Sequence, residues 1–311
     1  MILTAVMLVI GIALLIKGAD LFVGGGSGLA LRHRISPALI GSTIIAFGTS
    51  LPELVVSIDA AATGSTGIAL GNVIGSNIAN IALVLALCTF IRPTMIAASG
   101  ASRSALVRHT ALMLAATAAF ALLAMRGTLD ALAGGVLLTL FAVILVLLVR
   151  EGREEGDIVL KSHGWRDLLY IALGLIAVVI GARLVVNGAV TIAEAFGIPA
   201  FVIGLSVVAV GTSLPELATS LVAAVKNEGA ISIGNILGSN IFNLLLVLGI
   251  SLLLAPATVG SPLDIVAVVF FSAAILPLLF GRPTFVRGWS AFLLVGYAAY
   301  IAWTFLAAPA V

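Results

Sequence analysis

The sequence predicts an all-α polytopic membrane protein: ten transmembrane helices arranged as two inverted five-helix repeats. Three observations carry that reading. Of 311 residues, 62% are apolar and only 9% are charged, whereas a soluble domain carries about 25% charged residues. Apolar stretches of about 20 residues, the length that crosses roughly 30 Å of hydrocarbon, recur between charged or Pro/Gly-rich breaks. The chain also repeats itself. Gly48-Thr49-Ser50-Leu51-Pro52-Glu53 returns as Gly211-Thr212-Ser213-Leu214-Pro215-Glu216, and Gly75-Ser76-Asn77-Ile78 with Asn80 returns as Gly238-Ser239-Asn240-Ile241 with Asn243, each time 163 positions later. Over 46–54 and 71–80 the copies agree at 15 of 19 positions, so the chain reads as a duplicated unit.

The predicted spans of the first repeat, 1–149, are 1–30, 36–62, 68–90, 104–125 and 128–149. The first sixteen residues are apolar with no basic stretch ahead of them, so span one reads as a helix rather than a cleaved signal. Span two carries Pro52 in its interior and span three carries Gly71-x-x-x-Gly75, a small-residue pattern suited to close helix packing. A mixed-charge stretch, 150–166, reads as a cytoplasmic linker. The second repeat, 167–311, supplies 167–194, 199–226, 230–254, 263–280 and 288–307. Barrel strands are shorter and alternate in polarity, so a barrel does not fit. Cys88 is the only cysteine and falls in a span, which excludes a disulfide framework and a cysteine metal site. His33, His109 and His163 are placed in or near cytoplasmic loops without ligand spacing.

Orientation follows from Lys and Arg, which are retained on the cytoplasmic side. With ten spans, one face collects 12 of the 15 basic residues, so both termini are expected outside. This bias accounts for the basic balance without a nucleic-acid partner. Five spans per half is an odd number, so the second repeat enters the membrane from the opposite side. Inverted repeats are the usual construction of secondary transporters, with the site near the midplane where the repeats meet. Asp20 and Arg183 are equivalent positions, and inversion puts them on opposite sides, which argues against their pairing. Asp20, Asp59 and Glu194 read as vestibule or interfacial groups.

An ionisable residue buried in the membrane is a functional candidate, and Glu53 and Glu216 occupy matching positions. Glu53 lies about nine residues, roughly 14 Å of helix, from the end of its span. A proline inside a helix frees the carbonyl four residues back, here near Gly48 and Thr49, with Ala46 one turn further. Such freed groups are tolerated at membrane depth only where they line a cavity. Carbonyls, Thr and Ser hydroxyls and one carboxylate per motif are hard oxygen donors of the kind Ca²⁺ takes, and two glutamates neutralise one Ca²⁺. Asn72, Asn77, Asn235 and Asn240 read more simply as hydrogen-bonding links between helices.

These motifs resemble the two α-repeats of the Ca²⁺/cation antiporter superfamily, in its sodium/calcium exchanger branch of prokaryotic ten-span members: G-T-S-x-P-E in spans two and seven, and G-N-x-x-G-S-N in spans three and eight. The resemblance covers essentially the whole chain. It implies a Na⁺/Ca²⁺ antiporter in a prokaryotic plasma (inner) membrane, multi-pass, with no enzymatic activity, no cofactor beyond the transported ions and no protein partner. It further implies that Glu53 and Glu216 bind Ca²⁺ and alternately Na⁺. Thr49, Ser50, Thr212 and Ser213, the carbonyls of Ala46 and Ala209, and the hydroxyls of Ser76 and Ser239 would complete the sites, and Asn80 matches the family's amide in span three. Asn243 departs from members with Asp there, which removes one potential charge and bears on Na⁺ stoichiometry, proton sensitivity and K⁺ involvement. A H⁺/Ca²⁺ antiporter using the same glutamates is the alternative. An intramembrane enzyme fits poorly, because no H-E-x-x-H motif is present.

Overall fold

The computed structural model describes residues 2–99, 101–151, 164–196 and 209–307. The first repeat contains α1 (Ile2–His33), α2 (Pro37–Thr49), α3 (Leu51–Ala62), α4 (Thr66–Ile91), α5 (Arg103–Ala124) and α6 (Ala131–Glu151). The second contains α7 (Arg166–Ala195), α8 (Ala209–Thr212), α9 (Leu214–Val225), α10 (Gly229–Leu254), α11 (Pro262–Phe280) and α12 (Pro283–Ala307). Among the described residues, eight helices are long and apolar enough to cross a membrane, and the pair α2–α3, bent by 46°, makes a ninth. α8 and α9 fall in the predicted seventh span, whose first part, 199–208, lies outside the described residues, as do 152–163 of the linker.

Helix starts follow ordinary capping chemistry. Ser36 accepts the Leu39 N–H at 3.2 Å ahead of Pro37, and Ser102 accepts the Ala105 N–H at 3.1 Å; each hydroxyl satisfies one otherwise unbonded amide. Two expected boundaries are corrected. Span ten starts at Pro283, five residues before the expected position, because proline suits a first turn and Gly288 is carried inside the helix. Span five starts at Ala131: Thr128–Leu129 instead forms β1, antiparallel to β2 (Ala257–Thr258). Asp130 Oδ1 then accepts the Ala133 N–H at 3.0 Å. A third correction concerns His109, which is buried in the second turn of α5 rather than in a loop.

The duplication is visible in the backbone. The turn after α3 passes through Gly64 at φ +79°, and the turn after α9 through Asn227 at φ +68°, positions 163 apart in the same left-handed conformation. Inversion is visible in the seam between α1 and α7. A Cβ added at Gly11, Gly18 or Gly25 would meet Val185, Ala177 and Ile171 respectively, all within 3.0 Å. Advancing along α1 therefore retreats along α7, so these two equivalent helices run antiparallel. Their reciprocal glycines, Gly174, Gly181 and Gly188, meet Phe22, Leu15 and Leu8 within 2.8 Å. Small residues let the backbones approach closely where lipid supplies no hydrophobic drive for helix association.

α4 and α10 form the centre. In their apolar windows 72% and 83% of residues are buried, against 22% in α7 and α12. Ile78, Ile81 and Leu85 of α4 pack with Ile236, Leu244 and Leu245 of α10 in one core, while Leu3, Val9, Leu122, Leu132 and Val295 on the outer helices are exposed and face lipid. At one end, Arg92 donates to the carbonyls of Ala224 (2.9 Å) and Val225 (3.1 Å) and to Asn227 Oδ1, capping α9 with positive charge where its dipole favours it. Lys226 beside it pairs with Asp20 at 2.5 Å, so Asp20 is one half of an interfacial ion pair.

Candidate functional site

The repeated motifs meet in the core. Ser50 separates α2 from α3 and Ser213 separates α8 from α9, with matching backbones: φ −84°, ψ 5° and φ −85°, ψ 4°. Pro52 and Pro215 fall in the first turn of the helix that follows, where a missing N–H costs little. Pro52 has no N–H to offer the Gly48 carbonyl. The Ala46 carbonyl is less free than the proline rule suggests, since it accepts the Ser50 N–H at 3.0 Å and the Thr49 hydroxyl at 3.3 Å. The break places Glu53 and Glu216 in the first turns of α3 and α9, where the positive helix end favours a carboxylate. Both are completely buried, and their charges lie close enough to act on each other.

The amides arrive from α4 and α10 at irregular turns. α4 becomes π-helical from Asn80 to Leu85 and α10 from Phe242 to Val247. Such bulges re-aim side chains and are frequent at functional sites. Neither contains proline, so no residue type announced them.

Hydrogen bonds knit the halves together. Thr49 donates to Asn235 Oδ1 at 3.0 Å and lies 3.4 Å from the Ser239 hydroxyl. Ser50 donates to Glu216 Oε1 at 3.2 Å, with Ser239 at 3.5 Å from the same oxygen. Asn80 donates to Asn240 Oδ1 at 3.0 Å. Behind these, Asn72 donates to the Glu53 carbonyl and to Ser57, and Asn235 donates to Ser220 at 2.9 Å. Ser57 and Ser220 were not singled out from the sequence, although they too stand 163 apart. Of the remaining candidates, Ser76 lies beside Glu53, Ser213 is buried, Thr212 is half-buried at the end of α8, and Ala209 opens that helix.

Among the buried atoms without a hydrogen-bond partner are both Glu53 carboxylate oxygens, Glu216 Oε2, Ser76 Oγ, Ser213 Oγ, the side-chain oxygens of Asn77 and Asn80, and both polar atoms of Asn243. Each such group carries a desolvation cost of about 1–3 kcal/mol, more for a charge, so a cluster of them around the two glutamates calls for a polar guest. Among the described residues no group of three or more His, Cys, Asp or Glu occurs. Two carboxylates with neutral hydroxyl and amide oxygens suit hard cations such as Na⁺ and Ca²⁺ rather than transition metals.

A multi-pass helical membrane protein with antiparallel repeats and a buried cluster of carboxylate, hydroxyl and amide oxygens where they meet falls, by fold and site, among the secondary transporters. The comparison with known proteins specifies the class. The chain belongs to the sodium/calcium exchanger protein family, whose profile matches residues 3–150 and 167–306. It is similar to the solved sodium-calcium exchanger NCX_Mj soaked with 100 mM Na⁺ and 10 mM Sr²⁺, at a TM-score of 0.84 and 33% identity over 97% of this chain and 98% of that one. CaxA of Alkalimonas amylolytica is 37% identical over 84% of both chains, and the inner membrane protein YrbG of Escherichia coli is 32% identical over 83% of this chain and 82% of its own. Membership makes the chain a cation/Ca²⁺ antiporter by family, a transporter rather than an enzyme.

Proposed function

We propose that this protein exports Ca²⁺ in exchange for Na⁺ by alternating access, with both ions competing for one midplane site. The observation that carries the proposal is the Glu53–Glu216 pair, fully buried, contributed by opposite repeats and surrounded by unpartnered oxygens. Two carboxylates balance one Ca²⁺, and six to eight oxygens at about 2.3–2.6 Å complete its shell. In this reading Glu53, Glu216, Thr49, Thr212, Ser50, Ser213, Ser76, Ser239, Asn80 and Asn243, with the carbonyls of Ala46 and Ala209, line the Ca²⁺ site and flanking Na⁺ sites. The likeness to an exchanger studied with Na⁺ and Sr²⁺ supports the choice of ions.

The repeats, 1–149 and 167–311, are joined by 150–166 on the cytoplasmic side of a prokaryotic plasma membrane, with both termini outside. The glycine-lined face of α1 and α7 presents few side-chain ridges between them and is the element we assign to movement. Sliding of this pair against the ligand-bearing helices opens the site to one side at a time.

Proton coupling is the second reading, and one observation favours it: both Glu53 oxygens lack partners, so this carboxyl can hold a proton when no metal is bound. Proteoliposomes separate the two. ⁴⁵Ca²⁺ uptake driven by internal Na⁺, absent with internal K⁺ and unaffected by an imposed pH gradient, establishes Na⁺ coupling. Uptake driven by the pH gradient alone establishes proton coupling.

A further inference from the structure

A groove of about 670 Å³ lies between α11 and α12, well away from the carboxylate pair. At its mouth, Ser261 accepts the Leu263 N–H at 3.2 Å and starts α11, which puts Asp264 in the first helical turn. The Tyr300 hydroxyl donates to Asp264 Oδ1 at 3.2 Å. Below this pair, the rings of Phe271 and Tyr300 pack at 6.2 Å between centroids. Ala267, Phe270 and Trp303 form the apolar lining, with Phe270 and Trp303 about half exposed.

From this geometry we infer that the groove is a binding site for a phospholipid with a primary-amine headgroup, the ammonium on Asp264 and an acyl chain along the lining. Three arguments support that occupant. The groove opens on the outer surface of a membrane protein, where the surrounding solvent is lipid. Asp264 sits at a helix start, with Tyr300 and Trp303 at the same end of α12, the aromatic arrangement found at headgroup level. Among the described residues no basic side chain lines the groove, so the carboxylate repels anionic headgroups and favours a cation that can donate hydrogen bonds, because charge-assisted bonds are the strong ones. A choline headgroup has the cation without the N–H.

The test uses the full chain purified from a bilayer of equal parts phosphatidylethanolamine, phosphatidylcholine and phosphatidylglycerol, with retained lipids read by native mass spectrometry. The wild type is expected to retain phosphatidylethanolamine at least about fivefold above the mixture. Asp264→Asn, which can still bond Tyr300, is expected to return the retained lipid to the mixture's composition, and Ala267→Trp to lose one bound lipid of any headgroup. Identical composition in wild type and Asp264→Asn would overturn the headgroup assignment, as would a preference for phosphatidylcholine or phosphatidylglycerol. A dimer with a lipid-free groove would make a second copy the occupant and overturn the proposal. Asp264→Asn decides the matter even if Ala267→Trp fails to fold.

Discussion

At the scale of single residues, the site rests on an imbalance between the two glutamates. Glu216 is held through Oε1 by Ser50, while neither oxygen of Glu53 has a partner. Glu53→Gln and Glu216→Gln should each lower Ca²⁺ uptake at least about 100-fold, because a neutral amide leaves the divalent ion uncompensated in low dielectric. Ser50→Ala should cost less, about tenfold, the worth of one hydrogen bond to a charged group, and ⁴⁵Ca²⁺ uptake into proteoliposomes ranks the three. The carboxylates and hydroxyls were legible in the sequence because they are polar residues repeated inside apolar runs. The supporting amides were legible as hydrogen-bonding links. Their aim was not, since it depends on π-helical turns at Asn80 and Phe242 that no proline or glycine signals, and Ser57 and Ser220 fell outside the blocks compared.

At the scale of elements, the α1–α7 seam is a close backbone contact whose sequence signal is plain in retrospect. Glycines at 11, 18 and 25 and at 174, 181 and 188 repeat every seven residues and again at the 163-residue offset, a spacing that keeps one face of a helix against its neighbour. Gly174→Val would drive a Cβ to 2.5 Å from the Phe22 backbone nitrogen, whereas Gly24 has open space around it. Gly174→Val is therefore expected to destabilise the protein by about 1–3 kcal/mol or more and Gly24→Ala to leave its melting temperature nearly unchanged, as thermal melts in detergent would report. The turn between α9 and α10 carries a pH signature. Burial pushes the Glu228 carboxyl up to about 7, against the pull of the Lys226 ammonium. A folded-state value above the ordinary 4.5 means that the native protein binds this proton more tightly, so ionising Glu228 opposes folding, fully above pH 7 and not at all below about 4.5. Glu228→Gln should melt higher than wild type at pH 8, with the gain shrinking as pH falls through 7; a gain that is the same at pH 5 and 8 would show that the carboxyl is unperturbed.

At the scale of the whole molecule, duplication is the feature from which most of the architecture follows. One offset of 163 residues predicted paired helices and paired proline breaks, and the structure adds left-handed turns at Gly64 and Asn227 that keep the correspondence outside the motifs. What the offset could not supply is the asymmetry that evolved on top of it: the Arg92 cap on α9, where the other repeat has Ala255, the β1–β2 ribbon, and the Asp264–Tyr300 pair. The central claim is that Na⁺ and Ca²⁺ share one site closed by carboxylates from both repeats. The most direct test is equilibrium ⁴⁵Ca²⁺ binding to the purified protein under Na⁺ titration, for wild type and Glu53→Gln. The account predicts one Ca²⁺ per wild-type chain, displaced by Na⁺ and not by K⁺, and no binding to the variant; Ca²⁺ that stays bound at saturating Na⁺, or that binds Glu53→Gln as tightly as wild type, would contradict it.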